Sequence, residues 1–270
     1  IKYNFIDSMK VIEKYKQEYS ENGFLSPIRI ISSTETKKHR QILEDTEKIL
    51  GNLHYQSKMH TILKSAYDLA TNKSILDIVE NLIGKNILLY NSTYIIKEPQ
   101  TPTFVSWHQD LTYWGFSHDD QVSVWLALSN ADGESGAMYM IPGSHLEGKK
   151  EHKTGKEKNN VLSQSQKVTK FDESKKILCA LKPGEASFHH GWTIHSSMPN
   201  NSNDRRIGLN IQYIATHLKQ TKSDNDSAIC VRGTDEYNNF ENDLPAQSDE
   251  LDNQAVARRK EMHKQYKAIV

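Results

Sequence analysis

With only two cysteines in 270 residues, Cys179 and Cys230, the chain can build neither a disulfide framework nor a four-thiolate metal site. Neither sign of charge is in excess. Lys+Arg 34 offsets Asp+Glu 34, so there is no global electrostatic footprint for nucleic acid or an anionic membrane. No apolar run approaches the roughly 20 residues that cross a bilayer. The opening Ile1-Lys2-Tyr3-Asn4-Phe5 lacks the apolar core of a secretion signal. Two free thiols fit a reducing cytoplasm. These absences leave a cytoplasmic, single-domain protein over 1–270, large enough to enclose one deep site for a small molecule. Oligomeric state and the true N-terminus stay open.

What is present changes period along the chain. Residues 1–85 read as a helical buttress. Met9, Ile12 and Tyr15 recur at helical spacing, and Gly23 is a natural stop. Ser32-x-x-Glu35 is a capping box opening a polar helix towards Leu50 and Gly51. A third helix places Met59, Ile62, Leu63, Ala66 and Leu69 on one face. A fourth runs from Ser74 through Ile78 and Leu82 to Gly84. From 86 to 215 the period becomes two. Strands are predicted over Ile87–Ile96, Gln121–Ser129, Ala137–Ile141, Ile177–Leu181, Glu185–His190 and Ile207–Ala215, separated by Pro/Gly turns. The predicted class is α+β, mainly β, a jelly-roll barrel with helices packed on one sheet. Leu146–Lys176 is a polar stretch, either a solvated loop or a lid. Residues 216–270 form an extension that closes with a charged helix over Asn253–Tyr266.

Chemistry concentrates at Ser106-Trp107-His108-Gln109-Asp110. Residues two apart on a strand share a face, so His108 and Asp110 can reach one point. One imidazole and one carboxylate are two of the three ligands of the facial triad that holds non-haem Fe(II). The third should be a histidine on a neighbouring strand. His189, His190 and His195 all follow the Pro183-Gly184 turn. An isolated His-x-Asp is more often a surface pair or a hydrogen-bonded core histidine, but here a second histidine cluster and then an arginine follow it. Three protein ligands leave three open positions. An α-keto acid can fill two of them if a guanidinium grips its distal carboxylate.

The series His108-Gln109-Asp110-Leu111-Thr112-Tyr113-Trp114, Pro142-Gly143-Ser144-His145, Pro183-Gly184-Glu185 and His195-Ser196-Ser197 to Asn200 and Arg206 resembles the phytanoyl-CoA dioxygenase family. That resemblance is sharpest over 86–215. It implies a double-stranded β-helix and an enzyme using Fe(II), 2-oxoglutarate and O2. It also implies His108, Asp110 and His195 as the catalytic metal ligands. Arg206, eleven residues beyond His195, falls at the carboxylate-binding arginine, and Ser197 at the hydroxyl that shares that carboxylate. Trp125 resembles the aromatic beside the cosubstrate, and Gln109 is a further candidate contact. Asp110 stands where halogenating relatives carry a small residue, so hydroxylation is the implied reaction.

His190 is assigned a substrate or supporting role. It could replace His195 as ligand if a turn at Gly191 restored a shared face. His189 and His145 read as structural. Asn91, Tyr94, Tyr113, Trp114 and Arg232 are candidate substrate contacts, each with core packing or an exposed loop as the plainer alternative. A small polar substrate is expected, a phosphonate or secondary metabolite among the candidates, and no stretch suggests a coenzyme A site. Two competing classes remain: a Zn or Mn hydrolase or isomerase on a cupin-like barrel, and a non-catalytic metal- or ligand-binding protein. Arg206 discriminates the first, because a hydrolase has no use for an oxoacid clamp.

Overall fold

The structure, a computed structural model, describes residues 2–162 and 165–270, with side chains from Val11 onward. The facing of Met9, and Ser163 and Gln164 of the polar stretch, lie outside the described residues. Helices α1 (Lys2–Asn22), α2 (Ser33–Leu50), α3 (Lys64–Ala70) and α4 (Lys73–Ile83) come first. The short α5 (Leu111–Trp114) and the terminal α6 (Asn253–Ile269) follow. The capping box forms as expected: the Glu35 amide donates to Ser32 Oγ at 3.2 Å, and the Ser32 amide donates to Glu35 Oε2 at 2.9 Å. The expected third helix is divided. A 3-10 turn over Met59–Thr61 follows Lys58, whose φ of 60° breaks the helical path, and α3 starts only at Lys64.

The strands are β1 (Phe24–Arg29), β2 (Ile87–Lys97), β3 (Val105–His108), β4 (Gln121–Ala127) and β5 (Met138–Met140). Then come β6 (His152–Lys153), β7 (Lys167–Val168), β8 (Ile177–Cys179) and β9 (Glu185–His190). The last are β10 (His195–Ser197), β11 (Arg206–Ala215), β12 (Ser227–Arg232) and β13 (Glu241–Asn242). A seven-stranded sheet runs β1-β9-β4-β11-β2-β12-β13, antiparallel except at its β12–β13 edge. A four-stranded antiparallel sheet runs β3-β10-β5-β8, and β6 pairs with β7. Several strands escape the sequence reading, β1 and β12 the longest among them. β1 contains Pro27 at a register shift between Leu25 and Ile28, the place where an edge strand tolerates the missing donor. β12 holds only a short apolar run, Ala228 to Val231, which its polar and acidic flanks mask.

Alternation gives the large sheet two faces. Val124, Leu126, Phe188, Leu209 and Ile211 pack with Leu43, Leu63, Ile75 and Val79 of the helical layer in the main core. The opposite face carries Trp125 and Ala127, which pack with Met138, Met140 and Cys179 of the smaller sheet. A separate polar knot ties the C-terminal extension to the sheet. Lys58, 1% exposed, donates to the Tyr90 carbonyl at 2.6 Å, the Ser227 carbonyl at 2.5 Å and Asp243 Oδ2 at 3.2 Å. His60 bridges Ser92 Oγ at 2.9 Å and Asp243 at 3.0 Å.

Two histidines outside the site make folding acid-sensitive. His54 Nδ1 accepts the Ile96 amide at 2.9 Å, and His190 Nδ1 accepts the Trp192 amide at 3.1 Å, so each ring must keep a lone pair. Burial, with Arg206 near His54 and the His145 ring near His190, pushes both down to about 4. The unfolded chain therefore binds more protons than the native one between about 4 and 6.5, and stability falls as pH drops through that window. The urea midpoint should be lower at pH 5 than at pH 7.5. Equal midpoints would refute the assignment.

Candidate metal centre and oxoacid pocket

His108 is the last residue of β3, and His195, the first of β10, pairs directly opposite it. Asp110 follows β3 at the start of α5. This brings His108 Nε2 to 3.3 Å and His195 Nε2 to 3.6 Å from Asp110 Oδ1. One donor atom from each of the three lies within 4.8 Å of the others. Backbone carbonyls fix the tautomers: His108 Nδ1 lies 2.8 Å from the Ser106 carbonyl and His195 Nδ1 lies 2.9 Å from the Thr193 carbonyl. Donation through Nδ1 leaves both Nε2 lone pairs aimed at the shared point, the usual second partner of a metal-bound imidazole. Burial, reinforced by His108, pushes His195 down to about 3, so its ring is neutral, the form that ligates. Burial alone would raise the Asp110 carboxyl; His195, His108 and His189 hold it well below the usual range. The donor set thus fits a divalent cation.

Beside it lies a buried cation without a full set of partners. Arg206 is 1% exposed and donates Nη1 to the Gly136 carbonyl at 3.0 Å. Its Nε and Nη2 have no acceptor among the described residues. An unpaired buried guanidinium is costly, and burial draws it down to about 10. A carboxylate would satisfy both free donors. The adjacent Arg205 is instead held by Glu47 at 2.8 Å and Glu98 at 2.8 Å, away from the cavity. The buried Lys97 Nζ donates to Ser197 Oγ at 2.8 Å and to the Met198 carbonyl. That leaves the Ser197 hydroxyl proton free for the pocket.

Trp125 lies 5.0 Å from the Arg206 guanidinium carbon. Its ring is seated against Gly208, where an added Cβ would stand 2.0 Å from the indole. Gly208→Ala should therefore displace Trp125 and cost about 1–3 kcal/mol through overpacking. It should also weaken oxoacid binding while leaving metal content unchanged. Equilibrium dialysis of metal alongside thermal unfolding would check this, and an unchanged melting temperature would refute it.

The triad and Arg206 open on one cavity of about 460 Å³, within the roughly 300–1,000 Å³ usual for small-molecule sites. Ser197, Trp125, Tyr113 and Trp114 line it. Four sequence expectations require correction. Gln109 is fully buried and used structurally: its amide donates to the Gly148 and Trp192 carbonyls, both at 2.8 Å, and accepts the Lys150 amide. Tyr94 points into the helical core. Asn91 accepts the Lys58 amide at 2.8 Å and donates to Thr93 Oγ1 at 3.2 Å, and it is not among the residues that line the cavity. Arg232 pairs with Asp77 at 2.8 Å and Glu80 at 2.7 Å on α4, away from the cavity.

The two adjacent histidines exchange their expected places. His190 pairs opposite Val122 on the core face, its ring 6.3 Å from that of Tyr19 and 5.4 Å from that of His145. His189 pairs opposite Ser123, lines the cavity and places Nε2 3.3 Å from Asp110 Oδ2. Ser123 Oγ donates to the same oxygen at 3.0 Å. His189→Ala should therefore weaken metal binding by about 10–100-fold without abolishing it, the usual effect of losing an orienting partner. Competition with a chromophoric chelator would measure this, and an unchanged affinity would exclude the role. Sequence reasoning also missed Tyr55, Asn210 and Gln212, and His263, Tyr266 and Lys267 of α6, all of which line the cavity. Val161, Leu162 and Gln166 of the polar stretch line it too, so that stretch contributes wall.

Known proteins resemble this chain in sequence and fold. A family model described as phytanoyl-CoA dioxygenase (PhyH) matches residues 4–208. A probable alpha-ketoglutarate-dependent hypophosphite dioxygenase of Stutzerimonas stutzeri is 30% identical over 209 residues, spanning 76% of this chain and 70% of that protein. The peroxisomal phytanoyl-CoA dioxygenase of Homo sapiens is 23% identical over 260 residues, 86% of this chain and 75% of its own. The solved apo structure of ThoJ, a non-heme monooxygenase, superposes with a TM-score of 0.80 at 25% identity, covering 93% of this chain and 98% of that one. Fold and site together define the class of non-haem iron, 2-oxoglutarate-dependent oxygenases. Within it, this chain belongs to the phytanoyl-CoA dioxygenase family.

Proposed function

We propose that this protein hydroxylates a C–H bond of a small polar molecule, using Fe(II), 2-oxoglutarate and O2 and releasing succinate and CO2. The observation that carries this reading is Arg206, a buried guanidinium with two unpartnered donors beside the His108, Asp110, His195 group. Two antiparallel sheets with the site on their facing sides support a double-stranded β-helix, and the chain over 1–270 is read as one catalytic unit in the cytoplasm. No described helix is long and apolar enough to cross a membrane.

The protein's own contributions can be assigned to residues. His108, Asp110 and His195 would hold the iron. Arg206 and the Ser197 hydroxyl would fix the distal carboxylate of 2-oxoglutarate, with Trp125 as the flat wall beside it. Ser123 and His189 hold Asp110 by its second oxygen, so the first stays aimed at the metal. When bound, the iron supplies the O2 chemistry that couples decarboxylation of the oxoacid to oxidation of the substrate. Retention of Asp110 supports hydroxylation over halogenation. Tyr113 and Trp114 are read as substrate-side walls. The name of the Stutzerimonas relative directs the substrate search to phosphorus oxyanions and phosphonates.

Anaerobic titration of the apo-protein with Fe(II) and 2-oxoglutarate tests the reading. A weak visible charge-transfer band that requires both components is expected. Iron binding without the band would sink the oxoacid assignment and favour the hydrolase class.

A further inference from the structure

Two chemically distinct groups of residues line the cavity. Arg206, Ser197 and Trp125 are one, and His263, Tyr266 and Lys267 of α6 are the other. These three residues lie at positions i, i+3 and i+4, one face of a helix. That helix stands entirely beyond residues 4–208, the part matched by the family model. It is seated rather than loosely draped. His263 Nδ1 accepts the Ser57 amide at 3.2 Å, Arg259 Nη1 donates to Gln56 Oε1 at 3.1 Å, and Lys222 Nζ donates to the Ile269 carbonyl at 3.0 Å. The Tyr266 hydroxyl meets the Gln212 and Asn91 amides. The same Ser57 loop carries Tyr55 into the cavity.

Cationic side chains gather beside the α6 group. Among the described side chains that line the cavity, Asp110 carries the sole carboxylate, and it belongs to the metal group. Lys267 is exposed at the wall and has no hydrogen bond or ion pair among the described residues. Lys222, anchored between the Tyr113 and Ile269 carbonyls, adds a second cation next to the cavity and feels the charge of Lys149. On a chain of zero net charge, such clustering concentrates anions at the opening.

We propose that α6 is the substrate-selecting wall of the pocket, and that Lys267, with His263 beside it, recognises a small oxyanionic substrate, a phosphonate or a carboxylate. This rests on the reading that Arg206 and the metal group hold 2-oxoglutarate, because only then is the deep cation already occupied. The test uses the full chain loaded with Zn(II), which is redox-silent, and saturating 2-oxoglutarate. Methylphosphonate, acetate and the neutral dimethyl methylphosphonate are titrated in turn, with binding read by calorimetry and by the fluorescence of Trp114 and Trp125. At least one anion should bind saturably and the neutral ester should not; the tighter of the two anions identifies the head group. Lys267→Met should weaken that anion at least fivefold, Lys267→Arg should restore it to within twofold, and 2-oxoglutarate affinity should stay within twofold throughout. Failure of both anions to bind the wild type, or equal binding by Lys267→Met, would overturn the proposal. Absence of 2-oxoglutarate binding to the wild type would instead overturn the reading on which it rests.

Discussion

His195→Ala should fold and lose iron, whereas His190→Ala should keep it. His195 supplies one of three donor atoms grouped around a single point. Losing a partner that merely orients a ligand costs about 10–100-fold, so losing the ligand itself should cost more than about 100-fold in Fe(II) affinity. His190 faces the core beside Tyr19 and His145 and contributes nothing to the cavity wall. Its removal should appear as lost stability, with iron stoichiometry intact. Anaerobic dialysis against Fe(II) followed by metal analysis separates the two variants, and circular dichroism confirms that each is folded. The reverse pattern would exchange their roles.

The second large effect belongs to Arg206. Arg206→Ala should retain iron but bind 2-oxoglutarate about thirtyfold or more weakly, since losing one partner of a buried charged pair costs about 2–5 kcal/mol. The variant should also be no less stable than wild type in the absence of oxoacid, because the guanidinium it removes is buried with two donors unpaired. Arg206→Lys should recover only part of the binding, as an ammonium cannot make the fork of two parallel bonds. Calorimetric titration of the Fe(II)-loaded variants under nitrogen measures both. Wild-type 2-oxoglutarate affinity in Arg206→Ala would remove the central support for the proposed chemistry.

The elements that carry the metal and oxoacid groups were legible because each lies where a local rule applies. His-x-Asp on a strand end, a Pro-Gly turn before a histidine-rich strand and an arginine opening the next strand can all be read within a few residues. Strand parity held more than was taken from it. Ala186 and Phe188 mark the even positions of β9 as the core face, which places His190 with them and His189 in the cavity. The same parity along β11 puts Ile207, Leu209 and Ile211 in the core. It leaves Arg206, Asn210 and Gln212 to the pocket. Other contacts depend on chain paths that no window of sequence contains. Arg232 meets Asp77 155 positions away, and Arg259 meets Gln56 203 positions away. Gln109 sits between two inward-facing ligands and turns to the loop at Gly148 and Trp192, a partner set that exists only once the loop is in place.

The knot formed by Lys58, His60 and Asp243 bears on how the chain is made. Lys58 sits beneath β2 with two of its three acceptors, the Ser227 carbonyl and Asp243, supplied from far downstream. During vectorial synthesis α1 to α5 and most strands leave the ribosome while this ammonium still lacks its counterion. The nascent sheet must keep that corner hydrated until residue 243 emerges. Ribosome-bound chains arrested before Asp243 should therefore be protease-sensitive around Lys58, and those arrested far enough beyond it should not. Seating of the C-terminal extension on the sheet then becomes one of the last events in the protein's biogenesis.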